Sequence, residues 1–293
     1  MKPTIGIIGG SGPLATVDIE QKILSATQKL ITPLIDQNYF NIVVFNYSEI
    51  YDRNDSVFLG REDPLNQYIK YVKSISALGV DLILLACNTA HIYLPVLKEK
   101  SETPIISIIK KTTDYLRNEF PHCRKVGLIS TKATLEKKLY HDLLLKHDIE
   151  VVSLNAFTQD LIMEAIYLIK AGTRLTEEEA FLKNSNFPLK ANSEQANILK
   201  NHPYKQILLQ RNIPNPKVII RGAIEELKNK GCQHVILGCT ELPLVLPFME
   251  RELGIHVLDP NTIIAQAIVE TLDDIENKTI SNLRSLGNNR RYV

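Results

Sequence analysis

Asp81-Leu82-Ile83-Leu84-Leu85-Ala86-Cys87-Asn88-Thr89-Ala90-His91 decides the reading of this chain. Its apolar run has no polar alternation, which reads as a strand buried on both faces of a parallel sheet. The polar cluster after it falls at the strand's carboxyl end, where open α/β sheets bind their ligands. The same layout returns at His234-Val235-Ile236-Leu237-Gly238-Cys239-Thr240-Glu241-Leu242-Pro243. Strand, small residue, cysteine, threonine-containing turn and helix start recur in that order. Two cysteines in equivalent settings predict a pair acting on one substrate.

Working outward, further strands are predicted at 4–8, 40–45 and near 105, with helices over 13–30, 64–78 and up to 119. The stretch 47–60, which holds Tyr51-Asp52-Arg53, reads as a polar loop. The pattern restarts with a strand at 125–130, a helix over 135–146, a strand near 151 and a helix over 157–170. A helix over 217–230, the second cysteine strand, a helix over 243–253, a strand at 255–258 and an amphipathic helix over 261–275 complete it. Strands alternating with helices argue for parallel sheets. The expectation is therefore an α/β fold of two pseudo-symmetric parallel-sheet lobes with the active site in the cleft between them. The first lobe spans 1–115, completed by 258–276 as the last strand and helix return to it. The second spans 116–257 and carries an inserted segment, 172–216, read as a surface extension, a mobile lid or a dimer contact. The polar, basic end, 277–293, is expected to fray.

At 293 residues with 44% hydrophobic content, the chain can bury a sizeable core. No apolar run is long enough to cross a bilayer, and the start lacks a secretory pattern, so a soluble cytoplasmic protein without a membrane partner is expected. A net charge of +1 leaves no footprint for nucleic acid. The cysteines lack metal-ligand spacing, so no metal is expected.

Cys123 and Cys232 read as small buried hydrophobes. Cys87 and Cys239 each leave a strand and face a helix start, where free N–H groups favour a thiolate. Facing thiols suit nucleophilic attack assisted by a base such as His91, or proton transfer at a Cα from opposite faces. An unperturbed thiol titrates near pH 8.5, so modest tuning keeps both protonation states present near neutrality.

Four stretches carry a family likeness: Gly6-Ile-Ile-Gly9-Gly10-Ser11-Gly12-Pro13, Tyr51-Asp52-Arg53, Ala86-Cys87-Asn88-Thr89-Ala90-His91 and Gly238-Cys239-Thr240-Glu241-Leu242-Pro243. The chain resembles the aspartate/glutamate racemase superfamily, in its aspartate racemase or broad-specificity amino-acid racemase branch. The resemblance implies a cofactor-independent, homodimeric enzyme acting on a small amino acid, with Cys87 and Cys239 as the acid/base pair. Asn88, Thr89 and Thr240 then hold the α-carboxylate, and Arg53 and Lys170 the side-chain carboxylate. Gly10, Ser11, Thr131 and Glu241 join them as substrate-binding positions. The family often has Met where Ser11 stands and Pro where Tyr51 stands, and the loop Lys132-Ala133-Thr134 to Lys137-Lys138 departs from its usual Gly-Thr and Ser-Gly, so substrate choice stays open. Alternatives are a related superfamily isomerase or a catalytically silent amino-acid-binding paralogue. Gly10-x-Gly12-x-x-Ala15 also fits a dinucleotide fingerprint, but the second strand has no acid at its tip to hold a ribose, and the loop reads as a tight approach of backbone to substrate.

Overall fold

The computed structural model describes residues 2–171, 181–183, 212–214, 216–245 and 254–288. The first lobe comprises β1 (Thr4–Gly9), α1 (Pro13–Leu30), β2 (Asn41–Asn46), α2 (Arg53–Leu59), α3 (Leu65–Ser76), β3 (Leu82–Leu85), α4 (Leu94–Lys100), β4 (Ile105–Ile106) and α5 (Ile108–Glu119). Its strands form a parallel sheet in the order β2-β1-β3-β4. The second comprises β5 (Lys125–Ser130), α6 (Lys132–Glu136), α7 (His141–Leu145), β6 (Glu150–Val152), α8 (Ala156–Lys170), β7 (Phe181–Lys183), β8 (Asn212–Pro214), α9 (Pro216–Asn229), β9 (His234–Gly238), β10 (His256–Leu258) and α10 (Pro260–Asn288). Its parallel sheet runs β10-β9-β5-β6. The two orders match strand for strand, so β3 and β9, the cysteine strands, hold equivalent places beside the central strands β1 and β5. Both are buried along their whole length, as their unbroken apolar sequences require.

The exception to separate lobes is reciprocal. Helix α5 follows the first sheet, yet Ile109 and Leu116 pack with Val126, Leu128 and Tyr140 in the second lobe. Helix α10 follows the second sheet, yet Ile264, Ile268 and Leu272 pack with Ile5, Ile19 and Leu84 in the first. The expectation that the last strand also returns to the first lobe is corrected: β10 pairs with β9, and only the helix crosses.

Several boundaries differ for local reasons. The 47–60 stretch is not all loop. Asp52 accepts from the N–H groups of Asn54 and Asp55 and caps α2, which ends at Gly60 with φ +60. The helix expected over 135–146 starts earlier, because the Thr131 hydroxyl caps α6, and it breaks into α6 and α7 around Lys138, whose φ is +51. That turn sends Tyr140 into the core. Helix α10 runs on to Asn288, past the end at 275 that the sequence suggests. The polar side chains there bond to their own helix, Thr279 to the Ile275 carbonyl and Asn277 to Asp273, so polarity marks no end. Residues 242–245 form a 3-10 turn, and the rest of the helix expected over 243–253 lies outside the described residues. So does most of 172–216, of which β7 and β8 form an antiparallel pair. Among the described residues no helix is long and apolar enough to cross a membrane.

Candidate active site

Each cysteine leaves its strand in the same way. The Cys87 N–H donates to Leu85 O at 2.8 Å, and the Cys239 N–H donates to Leu237 O at 2.8 Å. Each is followed by a 3-10 turn, Thr89–Tyr93 or Leu242–Val245. Both turns hang from the start of a crossing helix. The Ile108 N–H donates to His91 Nε2 at 3.0 Å, which leaves the ring's proton on Nδ1, 3.0 Å from Cys87 O. Burial lowers the His91 pKa to about 4, so the ring is neutral. It is a staple for the Cys87 turn, not a base for the sulfur. On the other side, Asn261 Nδ2 donates to Thr240 O at 2.9 Å and to Asp18 Oδ2 at 2.8 Å.

The two turns meet. The Thr240 hydroxyl donates to Ala86 O at 3.5 Å, joining the residue after one cysteine to the residue before the other. The Thr89 hydroxyl lies 2.9 Å from that of Thr131 and 3.1 Å from that of Thr134. The Ala133 N–H donates to Asn54 Oδ1 at 3.1 Å, and the Tyr140 hydroxyl donates to Asn88 Oδ1 at 2.6 Å. The carboxyl ends of the two sheets thus face each other across a seam of polar contacts. Cys87 is 8% exposed and Cys239 5%.

Charged groups gather at one end of this seam. Arg53, at the first position of α2, is 4% exposed. Its Nη2 donates to Ser11 O at 2.9 Å and its Nη1 to Tyr51 O at 3.0 Å, while Nε–H is buried without a partner among the described residues. Burial works against the guanidinium charge, but Tyr68, Cys87, Asp52 and Glu241 around it more than restore it, and its pKa lies above the usual arginine value. Lys170, at the end of α8, places Nζ 3.7 Å from Glu241 Oε1. Burial lowers the Lys170 pKa, and the acidic groups around it, Glu241 foremost with Asp52 and Cys239, together more than offset it, so the ammonium is held above its ordinary range. Burial likewise raises the Asp52 carboxyl, and the Lys170 and Arg53 charges with two backbone N–H donors reverse the effect, so it titrates below its ordinary value.

Cys239 is a special case. Its Sγ–H donates to Glu241 Oε2 at 2.9 Å, and the Thr240 hydroxyl, whose one proton can turn to this oxygen or to Ala86 O, lies 3.3 Å from it. Burial, and then the Glu241 charge, push the thiol well above its ordinary range.

Of the positions named from sequence, Cys87, Asn88, Thr89, Thr131, Cys239, Thr240, Glu241, Lys170, Arg53 and Ser11 join one network. The glycines of the loop also make room for the protein's own groups. At Gly10, φ is +87 and a Cβ would lie 1.9 Å from Tyr47 O; at Gly12 a Cβ would lie 2.2 Å from Glu241 Oε1. These glycines make room for the β2 loop and for a carboxylate. The Ser11 hydroxyl pairs with the buried Tyr68 hydroxyl at 2.7 Å. Tyr68, Asn54, Thr134, Tyr140 and Asn261 were missed. Asn54 could have been found from the Asp52 cap beside it, and Asn261 from the Asp259-Pro260 helix start. Nothing in the sequence around Tyr140 points to the cleft. Among the described residues no group of three or more His, Cys, Asp or Glu side chains is placed to hold a metal ion.

The comparisons agree with this architecture. A family described as Asp/Glu/hydantoin racemase matches residues 8–186 and 184–268. The broad specificity amino-acid racemase of Bacillus subtilis is 24% identical over 177 residues, 60% of this chain and 75% of that protein. The glutamate racemase of Shewanella woodyi is 24% identical over 97% of this chain and 89% of its own length. The structure of Picrophilus torridus aspartate racemase superposes with a TM-score of 0.65 at 25% identity, covering 92% of this chain and 94% of that one.

Proposed function

The chain belongs to the Asp/Glu/hydantoin racemase family and is an amino-acid racemase, and on that premise we propose that it inverts aspartate by proton transfer between Cys87 and Cys239. One observation supports a dicarboxylic substrate, and the likeness to the aspartate branch favours aspartate within that class. Two buried donors at the seam lack an acceptor among the described residues: Arg53 Nε and Asn88 Nδ2. An unsatisfied buried donor costs about 1–3 kcal/mol, more when charged, so two of them beside two thiols call for two anionic groups. A dicarboxylic amino acid brings both. Its side-chain carboxylate takes the Nε edge of Arg53, a geometry suited to two parallel bonds. Its α-carboxylate takes Asn88 Nδ2, with Thr89 and Thr240 beside it.

In this reading one sulfur, as thiolate, removes the Cα hydrogen. The electron pair left on carbon spreads into the α-carboxylate, where the fixed amide donor stabilises the extra charge. The other sulfur, as thiol, delivers a proton to the opposite face. The cysteines exchange roles for the reverse direction, and no cofactor takes part. A homodimer in the cytoplasm belongs to the same proposal, by likeness to the family, and light scattering tests the dimer.

The test is Cα labelling. L- and D-aspartate are incubated with the protein in deuterated water and followed by NMR, alongside glutamate and neutral amino acids. Aspartate is expected to exchange and invert without an added cofactor, and Cys87→Ala and Cys239→Ala each to abolish inversion. Full inversion by either variant rules out the two-sulfur scheme, and equal rates on neutral amino acids rule out the role of Arg53.

A further inference from the structure

Ser11 and Tyr68 are buried, at 7% and 1% exposure, and their hydroxyl oxygens lie 2.7 Å apart. Two hydroxyls carry two protons, and the bond between them uses one. The other proton has no acceptor among the described residues, whichever oxygen donates. Burial, foremost, raises the Tyr68 phenol, so it keeps its proton. A phenol is a stronger donor than an alcohol. Tyr68 therefore donates to Ser11 Oγ, and the spare proton belongs to the serine.

That serine also holds the guanidinium. Arg53 Nη2 donates to the Ser11 carbonyl at 2.9 Å, and Arg53 Nε lacks an acceptor among the described residues. Tyr68 itself is fixed. Its ring, on α3, shares an apolar cluster with Val72, Ile83 and Cys87, and it tilts against the Tyr93 ring with 5.6 Å between centroids. A serine hydroxyl on its own turns among staggered positions. The phenol proton occupies one side of Ser11 Oγ, so the serine proton points away from Tyr68.

We infer that Ser11 donates to the substrate's side-chain carboxylate and that Tyr68 positions it to do so, the two together selecting an acidic side chain over its amide. The inference rests on the aspartate racemase reading above. A carboxylate accepts at about four sites. The Arg53 edge serves two of them, and the Ser11 proton serves a third. An amide offers one accepting oxygen and a nitrogen that only donates. Against three converging donors, its N–H groups meet a donor head-on. A site built to bond one group rejects the analogue that lacks it, because its own buried groups are left unpaired. Tyr68 keeps the serine in its donating sense. Without the phenol the hydroxyl is free to turn and accept from an amide, and the pocket separates the two side chains less well.

The test compares wild type, Ser11→Ala, Tyr68→Phe and the double variant, with aspartate as substrate and asparagine as a competitive inhibitor. Far-UV circular dichroism and urea unfolding check that each is folded. Either single change is expected to raise KM for aspartate about tenfold, as the loss of one hydrogen bond to a charged group. It should leave kcat within about twofold, because the side-chain contact is made alike in ground and transition states. Tyr68→Phe should also narrow the gap between the aspartate KM and the asparagine inhibition constant. The double variant should be no worse than Ser11→Ala, since Tyr68 acts only through the serine. A phenol that merely braced the core would lower kcat or stability instead, and its loss would add to that of Ser11→Ala. An unchanged aspartate KM in either single variant, or losses that add in the double, overturns the inference. The Ser11→Ala result decides by itself if Tyr68→Phe does not fold. Wild type that exchanges no Cα hydrogen of aspartate overturns the racemase reading, and the inference with it; inversion with an unchanged KM overturns the inference alone.

Discussion

Tyr140→Phe removes one oxygen from a residue with no solvent exposure, and the structure sets what that oxygen does. Its hydroxyl donates to Asn88 Oδ1 at 2.6 Å, while Asn88 Nδ2 has no partner among the described residues. That bond fixes which end of the Asn88 amide is left to face an anion. Without it a buried acceptor loses its partner, at about 1–3 kcal/mol, and the amide is free to turn its oxygen toward the substrate carboxylate. If the whole orienting energy is lost from the transition state, kcat/KM falls about 5- to 150-fold, since 1.36 kcal/mol is a factor of ten. The assay is the initial rate of aspartate inversion by circular dichroism, with urea unfolding alongside. The comparison that isolates the bond is a double-mutant cycle: Tyr140→Phe should cost far less activity in an Asn88→Ala background. Wild-type kcat/KM in the single variant, or an equal loss in both backgrounds, refutes the reasoning.

Arg53→Lys should raise KM for aspartate more than it lowers kcat, because a lysine cannot offer the parallel edge that Nε and Nη2 present; steady-state kinetics on aspartate measures this. Cys123→Ala and Cys232→Ala should leave inversion intact and lower stability by about 1 kcal/mol each, as expected of small buried hydrophobes packed in the second lobe. His91 gives a stability prediction. Its folded pKa, about 4, lies below the ordinary 6.5 because burial disfavours the charged ring. The unfolded chain therefore binds the proton first as pH falls, so stability present above pH 6.5 is lost between there and pH 4, by about 3 kcal/mol. Thermal melts across this window should show a shallower decline for His91→Gln than for wild type, since His234, whose pKa burial also lowers, is shared by both.

The parts of the molecule readable in advance were those whose signal is local. Leu82 to Ala86 and Val235 to Leu237 announce buried strands by composition alone, and the repeated cysteine turn announces the pseudo-symmetry. Arg53 was legible as a position but not in its setting: the Asp52 cap that turns a polar stretch into α2 competes, in sequence, with an equally good loop. Tyr140 reaches Asn88 only because Lys138 adopts a left-handed φ, which lysine does not advertise. The placement of α5 and α10 depends on which of two apolar faces is vacant, a question of packing between distant segments that no local pattern holds. That Gly12 also leaves room for Glu241, 229 positions on in the chain, is a contact between distant segments and so was not legible in the loop itself.

The exchange of α5 and α10 ties the fate of the halves together. A fragment ending after α5 would bare the apolar strip that Ile264, Ile268 and Leu272 cover, and its complement would lack Ile109 and Leu116. Neither could persist in water as a finished body, so the chain should melt in one event despite its doubled plan. A symmetry that looks divisible on paper is, through this mutual loan of helices, knit into a single cooperative unit.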